Sequence, residues 1–456
     1  MKKESMKLTK EQASIAVEAA RQLSGIPEWW ENDKLNEVVF CDWLIDRHEM
    51  KYIGTIFYDI DGRLSEQKLS KEIMGYIQPY VKYNVSVKIK RLIDLLKIKC
   101  GEDKLPVQED RIHFANGTYH LEDGTFTEKE FCSNRLEVNY NPDAKEPKQW
   151  LEFLNQLLDP EDIVTLQEFM GYCFVPTTKA QCMLMLIGNG GEGKSRIGLV
   201  MRNILGDNMN VCSISKLATN PYCPADQEGK LLMVDDDVKM EALSETNMLK
   251  DIITMEDKMD LEKKKVQSYQ GYLYVRIMAF GNGSLNSLYD KSEGFYRRQI
   301  IIVVKDKDPG RIDDTNLSKK LKAESEGIAL WCLEGSKKLA ADDFHFTVSD
   351  KAKMTLEYSK REGDNILEFL DSEGYIYFQE DAEISAKELY EIYVDWCVDN
   401  CEKARAQNSF AKAFKVHAEK RGLEYQKNMK LSDGKLARGY KGLCRHPGKN
   451  PFSKSA

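Results

Sequence analysis

The residues with the clearest chemical role form a glycine-rich loop. Positions 188–195 read GNGGEGKS, which has the spacing G-x-x-x-x-G-K-[ST]. Glycines let the backbone turn tightly, so that several N–H groups point at phosphate oxygens. In such a loop the lysine binds the β- and γ-phosphates of a nucleotide, and the hydroxyl binds Mg²⁺. We predict that ATP and Mg²⁺ bind here, with Ser195 as a metal ligand and with the following nucleotide-binding residues: Gly188, Asn189, Gly190, Gly191, Glu192, Gly193, Lys194, Ser195 and Arg196.

The elements that flank this loop favour a phosphate site over a merely flexible glycine loop. Met183–Ile187 is a short, entirely apolar run, which is typical of a strand at the centre of a parallel sheet. A helix is predicted to begin near Lys194. Its N-terminus would add a partial positive charge beside the phosphates.

A second group of candidate residues follows another apolar run. Leu231–Val234 predicts a strand, and Asp235, Asp236 and Asp237 come directly after it. Ligands of open α/β sheets bind at the carboxyl ends of the strands, so these carboxylates are placed to hold Mg²⁺ and to polarise water. A solvated acidic turn is the alternative, and the glycine loop about forty residues upstream disfavours it.

Two further polar sites lie beyond the acidic strand. Asn282 follows the predicted strand 272–280, where its amide could orient an attacking water and sense the γ-phosphate, although Asn-Gly is also a common turn. Arg297 and Arg298 precede the predicted strand 300–304. Paired arginines are usually surface charge, but a ring ATPase places its arginine finger in this position.

The bulk composition is that of a cytoplasmic protein with two to four domains. Of 456 residues, 42% are hydrophobic and 31% charged. The N-terminus has no apolar signal region, and no apolar run approaches the ~18 residues of a membrane helix. The eleven cysteines form no disulfide framework. The net charge is −8, yet residues 402–456 carry a net +10, which indicates a local phosphate-binding surface.

The order of these motifs resembles that of the superfamily 3 helicases, which are AAA+-type hexameric motors of small replicons. More narrowly, the chain is similar to the phage and plasmid primase–helicase family, on the motifs at 115–118, 140–143, 171–173 and 326–335 as well as the ATPase. The resemblance implies that Lys194 is catalytic, that Asp236 and Asp237 serve Mg²⁺ and the water, and that Asn282 is a sensor. Many members have Glu where Asp237 stands, so the base is left open between the two aspartates. The finger is likewise left open between Arg297 and Arg298.

The resemblance also implies a basic hairpin that projects into the central channel of the hexamer. Its residues here are Lys250, Lys263, Lys264, Lys265 and Tyr269. Six copies would present ammonium groups to the phosphates of a single DNA strand, and the tyrosine would stack on a base. A solvated lysine-rich loop is the alternative.

The fold predicted from these patterns is α/β, with an AAA+-like P-loop core. We expect a mostly helical region over 1–110, a family-specific domain over 111–180, the ATPase core over 181–345, a basic winged-helix domain over 350–447 and a tail over 448–456. Winged helices commonly bind duplex DNA, although some bind proteins. Residues 1–110 show no convincing carboxylate pair, so we expect no primer synthesis.

The function predicted at this level is that of an ATP-dependent, homohexameric replicative helicase or initiator of a phage or mobile element. It would translocate on single-stranded DNA and hold duplex or origin DNA through its C-terminal domain, with no membrane partner. The alternative is a DNA-binding regulator in which the nucleotide only switches assembly.

Overall fold

The computed structural model describes residues 25–102, 107–238, 243, 246–283, 293–362, 365–400, 402, 404–430 and 436–447. The chain divides into two compact units. The first takes its described residues from 1–238, 247–282 and 303–349. The second takes them from 239–246, 283–302 and 350–456. No helix of the described residues is long and apolar enough to cross a membrane.

The helices and strands follow one another along both units. The helices are α1 (Glu37–His48), α2 (Glu66–Ile77), α3 (Val85–Lys99), α4 (Lys148–Leu157), α5 (Pro160–Tyr172), α6 (Ser195–Leu205), α7 (Ile214–Thr219), α8 (Asn247–Ile253), α9 (Glu293–Tyr296), α10 (Leu317–Ala323), α11 (Ser325–Ala341), α12 (Asp350–Glu362), α13 (Asn365–Asp371), α14 (Ala386–Asp399) and α15 (Gln407–Lys420). The strands are β1 (Trp30–Glu31), β2 (Lys34–Leu35), β3 (Lys51–Ile53), β4 (Ile56–Asp59), β5 (Gly62–Leu64), β6 (Gly101–Glu102), β7 (Arg111–Phe114), β8 (Gly117–His120), β9 (Phe126–Thr127), β10 (Met183–Ile187), β11 (Met209–Val211), β12 (Leu232–Val238), β13 (Met259–Leu261), β14 (Tyr269–Gly271), β15 (Arg276–Gly281), β16 (Gln299–Val303), β17 (Ile376–Ser385), β18 (Glu424–Lys430) and β19 (Leu436–Arg445).

The N-terminal part of the first unit is a mixed α/β layer. Strands pair in the order β5-β4-β3-β6, and β3 runs antiparallel to β4 and parallel to β6. Helices α1, α2 and α3 bury their apolar faces in a shared core that includes Phe40, Phe57, Ile73 and Leu92. The predicted mostly helical region therefore also contains a sheet. Its strands are two to four residues long, too short for an alternating pattern to be distinguished in the sequence.

The segment that precedes the parallel sheet contains two departures from the predicted elements. The sequence of residues 112–121 predicts one strand, but the structure has here a hairpin of β7 and β8, which turns at Ala115 and Asn116. The apolar spacing over 150–172 predicts one helix, but this segment is divided into α4 and α5. Pro160 begins the second helix, since proline lacks the N–H that would continue the first.

The centre of the first unit is a parallel sheet with the strand order β11-β12-β15-β10. Residues Met183–Leu186 of β10 are fully buried, which explains why the strand is apolar throughout. Val304, after β16, donates its N–H to the carbonyl of Ile187 (2.9 Å). The carboxyl ends of β10, β12 and β15 thus lie at one edge of the sheet.

The C-terminal part of the second unit has its own core. Its elements follow in the order α13-β17-α14-α15-β18-β19, and the strands form an antiparallel sheet with the order β17-β19-β18. Phe369, Tyr393, Phe414 and Leu443 are among its buried residues. The charged residues 350–362 form the helix α12.

Candidate nucleotide-binding site

The glycine-rich loop connects the end of β10 to the start of α6. Gly190, Gly191 and Gly193 have φ angles of 100°, 82° and 111°, a region in which residues with a Cβ are strained. Helix α6 begins at Ser195 with no acidic residue in its first turn and no side-chain cap. The loop therefore directs backbone N–H groups and the positive end of a helix dipole toward the same space, an arrangement that binds anions.

Lys194 is buried inside this loop together with a carboxylate. The side chain of Glu192 is 2% exposed and that of Lys194 is 8% exposed. Glu192 Oε2 lies 2.7 Å from Lys194 Nζ, and Glu192 Oε1 accepts the N–H of Gly190 at 2.6 Å. Burial disfavours the ionised carboxyl, but the ammonium and the N–H donors outweigh it and hold the pKa of Glu192 below its ordinary value. The loop thus contains a compact, buried ion pair.

The three consecutive aspartates occupy different environments. Asp235 is buried, and its carboxylate accepts the N–H of Ile214 at 2.7 Å. Burial is the main influence on Asp235 and raises its pKa. The pairing of β12 with β15 shifts register between Asp235 and Val238, so Asp236 and Asp237 fall in an irregularity where both side chains are exposed. Such a bulge re-aims side chains at the edge of a sheet.

One cleft brings most of the predicted residues together. It has a volume of about 330 Å³ and is lined by Gly190, Gly191, Glu192, Gly193, Lys194, Ser195, Arg196, Leu199, Asp236, Asp237, Phe280, Gly281 and Asn282. Asn282 directly follows β15, and its Oδ1 lies 4.0 Å from the position a Cβ would take on Gly190. The phosphate loop, the two exposed carboxylates and the strand-end amide therefore line the same space.

The oxygen donors in this cleft suit a magnesium ion. Ser195, Asp236 and Asp237 supply one hydroxyl and two carboxylates. Proteins usually bind Mg²⁺ through one or two carboxylates, while substrate phosphates and water complete the octahedron.

A second cavity adjoins the loop, and sequence reasoning predicted only Gly191, Glu192, Gly193 and Arg196 among the residues that line it. It has a volume of about 410 Å³ and is lined by Gln149, Glu152, Phe153, Gln156, Gly191, Glu192, Gly193, Arg196, Arg311, Ile312, Asp313, Asp314, Thr315 and Leu317. Arg311 donates to the carbonyls of Glu192 (3.0 Å) and Gly191 (3.1 Å). Asn189 donates to Asp306 at 2.7 Å, so both Asp306 and Arg311 of the segment after β16 are hydrogen-bonded to the loop. Nothing in the local sequence around Arg311 marks it as part of a site.

The two arginines of the predicted finger lie in the second unit, in a turn between α9 and β16. Arg297 is exposed, whereas Arg298 is partly buried and donates to the carbonyl of Gly294. Of the pair, Arg297 is therefore the one whose side chain faces solvent.

The predicted basic hairpin is formed by β13 and β14, with Leu261 paired to Tyr269. Lys263 Nζ lies 2.9 Å from Glu228 Oε2 and 3.1 Å from Thr55 Oγ1. Tyr269 donates its hydroxyl to the same Glu228 oxygen at 2.7 Å.

The other predicted lysines differ from Lys263 in their surroundings. Lys264 is exposed and its ammonium lies 5.8 Å from the ring centroid of Tyr222. Lys265 is exposed at the turn, with a φ of 63°. Lys250 lies on α8 and not on the hairpin. The strand predicted over 272–280 begins later than expected, since β14 ends at Gly271 and β15 runs from Arg276 to Gly281.

Two family models match parts of the chain. Residues 186–298 match the family model described as "Family of unknown function (DUF5906)", and this range contains the glycine loop, the aspartates, Asn282 and the arginine pair. Residues 20–159 match the model described as "D5 N terminal like". No curated protein matches the chain.

Solved structures share the fold at low sequence identity. The apo structure of NrS-1 C terminal region (305-718) covers 90% of this chain and 100% of its own, with a TM-score of 0.54 and 14% identity. The A form apo structure of the NrS-1 C terminal region covers 88% and 98%, with a TM-score of 0.51 and the same 14% identity. At this identity the likeness concerns the fold alone.

Proposed function

We propose that the chain is an ATP-driven DNA helicase that serves the replication of a phage or a related mobile element. The observation that carries this proposal is the cleft in which the phosphate loop, Asp236, Asp237 and Asn282 converge. A nucleotide-hydrolysing motor needs these groups together, because the transferred phosphoryl group is stabilised by positioning and charge. The match to the D5 N terminal like model agrees with the resemblance to phage and plasmid primase–helicases.

The residues of the cleft divide the chemistry among them. Lys194 and the loop N–H groups hold the β- and γ-phosphates, while Ser195 and the exposed aspartates hold Mg²⁺. The metal ion supplies charge neutralisation at the phosphates. One of Asp236 and Asp237 accepts the proton of the attacking water, and Asn282 orients that water.

The nucleoside of ATP extends into the adjoining cavity. This cavity shares Gly191, Glu192, Gly193 and Arg196 with the phosphate cleft. Gln149 and Gln156 supply amides that can donate to and accept from a base, and Phe153 adds apolar surface. The continuity of the two spaces supports a complete nucleotide and not merely a bound phosphate.

The motor acts on DNA as a homohexamer. Arg297, exposed on its turn, reaches the ATP of a neighbouring subunit as the arginine finger. Lys264 and Lys265 of the β13–β14 hairpin bind the strand in the channel. The α13–β19 segment, whose element order α-β-α-α-β-β is that of a winged helix, binds duplex DNA with its basic surface.

Turnover and strand displacement by the wild type and by Lys194→Ala test this function. Loss of the buried ammonium should lower ATP turnover by about 10²-fold or more, while the fold persists. The wild type should separate a forked duplex in an ATP-dependent manner, and the variant should not. Near-normal turnover of Lys194→Ala would contradict the nucleotide site. ATP-dependent binding of the fork without strand separation would instead support the nucleotide-switched regulator.

A further inference from the structure

Resting on the proposed nucleotide site, we infer that the carboxylate of Glu192 stands in for a nucleotide phosphate and sets the affinity of the loop for polyphosphates. Two donors hold this carboxylate, the Lys194 ammonium at 2.7 Å and the Gly190 N–H at 2.6 Å. Both are groups that a phosphate loop offers to the β- and γ-phosphates. A nucleotide must therefore displace Glu192 before it can bind them.

The burial of the pair shows that this is a built contact. Surface ion pairs are usually exposed and contribute little, whereas both of these side chains lie inside the loop, Glu192 at 2% exposure and Lys194 at 8%. Gly188 makes room for it, because a Cβ at that position would lie 2.8 Å from Glu192 Oε1. The loop thus accommodates a carboxylate in the region where it is expected to accommodate a phosphate.

Release of the carboxylate requires only a side-chain rotation. Arg311 holds the carbonyls of Gly191 and Glu192, which fixes the backbone on either side of the Glu192 side chain. The N–H groups of the loop therefore keep their orientation when the carboxylate leaves. A polyphosphate then satisfies the buried ammonium, which would otherwise stay uncompensated at a high cost in free energy.

This arrangement makes the loop selective for ligands that reach Lys194. Pyrophosphate and the terminal phosphates of ATP compete directly with Glu192. The single phosphate of AMP, attached at the nucleoside end, does not reach the ammonium and leaves the pair in place. Glu192 is accordingly an affinity-setting and positioning residue, and it is not assigned a role in the chemical step.

Calorimetric titration of the purified full-length chain tests the inference with three probes: the non-hydrolysable ATP analogue AMP-PNP with Mg²⁺, pyrophosphate and AMP. Glu192→Gln should bind AMP-PNP and pyrophosphate about tenfold more tightly than the wild type, the size expected when a hydrogen bond to a charged group need not be given up first. The affinity for AMP should stay unchanged. A purely structural role of Glu192 would not separate the probes in this way.

Two variants keep the result interpretable. Glu122→Gln removes the same charge from an exposed residue that lines neither the phosphate cleft nor the adjoining cavity, and its affinities should equal those of the wild type. Glu192→Ala removes both contacts of the carboxylate and should reproduce the gain for AMP-PNP and pyrophosphate. It covers the case in which the side chain in Glu192→Gln still accepts the N–H of Gly190. Binding that depends on Lys194 but is no tighter in either Glu192 variant would overturn this inference alone. Equal binding of AMP-PNP by the wild type and Lys194→Ala would overturn it together with the nucleotide site.

Discussion

At the scale of single residues, the run Asp235–Asp237 shows how neighbours of one type acquire different roles. Asp235 points into the unit and holds the N–H of Ile214 at the start of α7. Asp236 and Asp237 line the cleft, at the irregularity in the pairing of β12 with β15. We therefore expect Asp235 to stabilise the fold and the other two to serve the nucleotide.

Substitution of each aspartate separates these roles. Asp235→Ala leaves the Ile214 N–H without its acceptor and should lower the free energy of unfolding by about 1–3 kcal/mol, measured by urea denaturation. Asp236→Asn and Asp237→Asn should unfold like the wild type and lower ATP turnover by about 10²-fold or more. The variant that keeps more of its affinity for Mg²⁺ and AMP-PNP identifies the base, and the one that loses more identifies the main metal ligand of the two. If both asparagine variants hydrolysed ATP at the wild-type rate, neither aspartate would be the base or a needed metal ligand.

At the scale of elements, the β13–β14 hairpin gives different environments to Lys263, Lys264 and Lys265, which are consecutive in the sequence. Glu228, outside the hairpin, binds both the Lys263 ammonium and the Tyr269 hydroxyl. Desolvation and this carboxylate also raise the pKa of Tyr269 well above its ordinary value. Lys264 and Lys265 are exposed at the turn. The turn is therefore the part of the hairpin best placed to bind phosphates.

Replacing Lys264 and Lys265 together by alanine should abolish unwinding and the stimulation of ATP turnover by single-stranded DNA. Basal turnover should survive, because the hairpin contributes nothing to the cleft. Lys258→Ala, which removes an exposed lysine beside the start of β13, is the control and should be stimulated normally. A double variant that still unwinds at the wild-type rate would show that the DNA path lies elsewhere.

At the scale of the whole molecule, the proposed ring can be tested through the arginine pair. A variant with both Arg297 and Arg298 changed to alanine should bind nucleotide but not hydrolyse it. Mixed with Lys194→Ala subunits, it should recover turnover, since about a quarter of the interfaces in a random one-to-one ring join an intact loop to an intact arginine pair. Turnover would be measured after co-assembly is demonstrated by mass. Co-assembled rings without recovery would contradict action between subunits.

The basic C-terminal domain is expected to act separately from the ATPase. Removal of residues from 364 onward takes away the C-terminal segment whose last 55 residues, 402–456, carry a net charge of +10. Duplex affinity should fall and its dependence on salt should flatten, because fewer counterions are released. Turnover of ATP and its stimulation by single strands should remain. Duplex binding would be followed by fluorescence anisotropy across a salt series, and an unchanged slope would place the duplex site in the remaining chain.

The sequence by itself determined the features that depend on local order along the chain. The apolar run Met183–Ile187 predicts β10 at the residues where the structure has it, and the glycine spacing predicts the loop and the start of α6 near Lys194. The periodic segments around 70–80 and 86–96 indicate α2 and α3. Period, spacing and turn residues are properties of neighbours, so one sequence is enough to read them.

The tertiary structure decided which of these residues come into contact, and which are bound by a side chain from a distant part of the sequence. Arg311 lies 119 positions from Glu192, whose carbonyl it holds, and Glu228 lies 35 positions before Lys263. No pattern records such pairs, because they form only after the sheet and its connections have folded. The same holds for Asp235, which differs from Asp236 only in the direction that the strand gives its side chain. The sequence shows which residue types are available for chemistry at this site. Burial and hydrogen-bond partners, which shift the pKa of each group, follow from the packing alone.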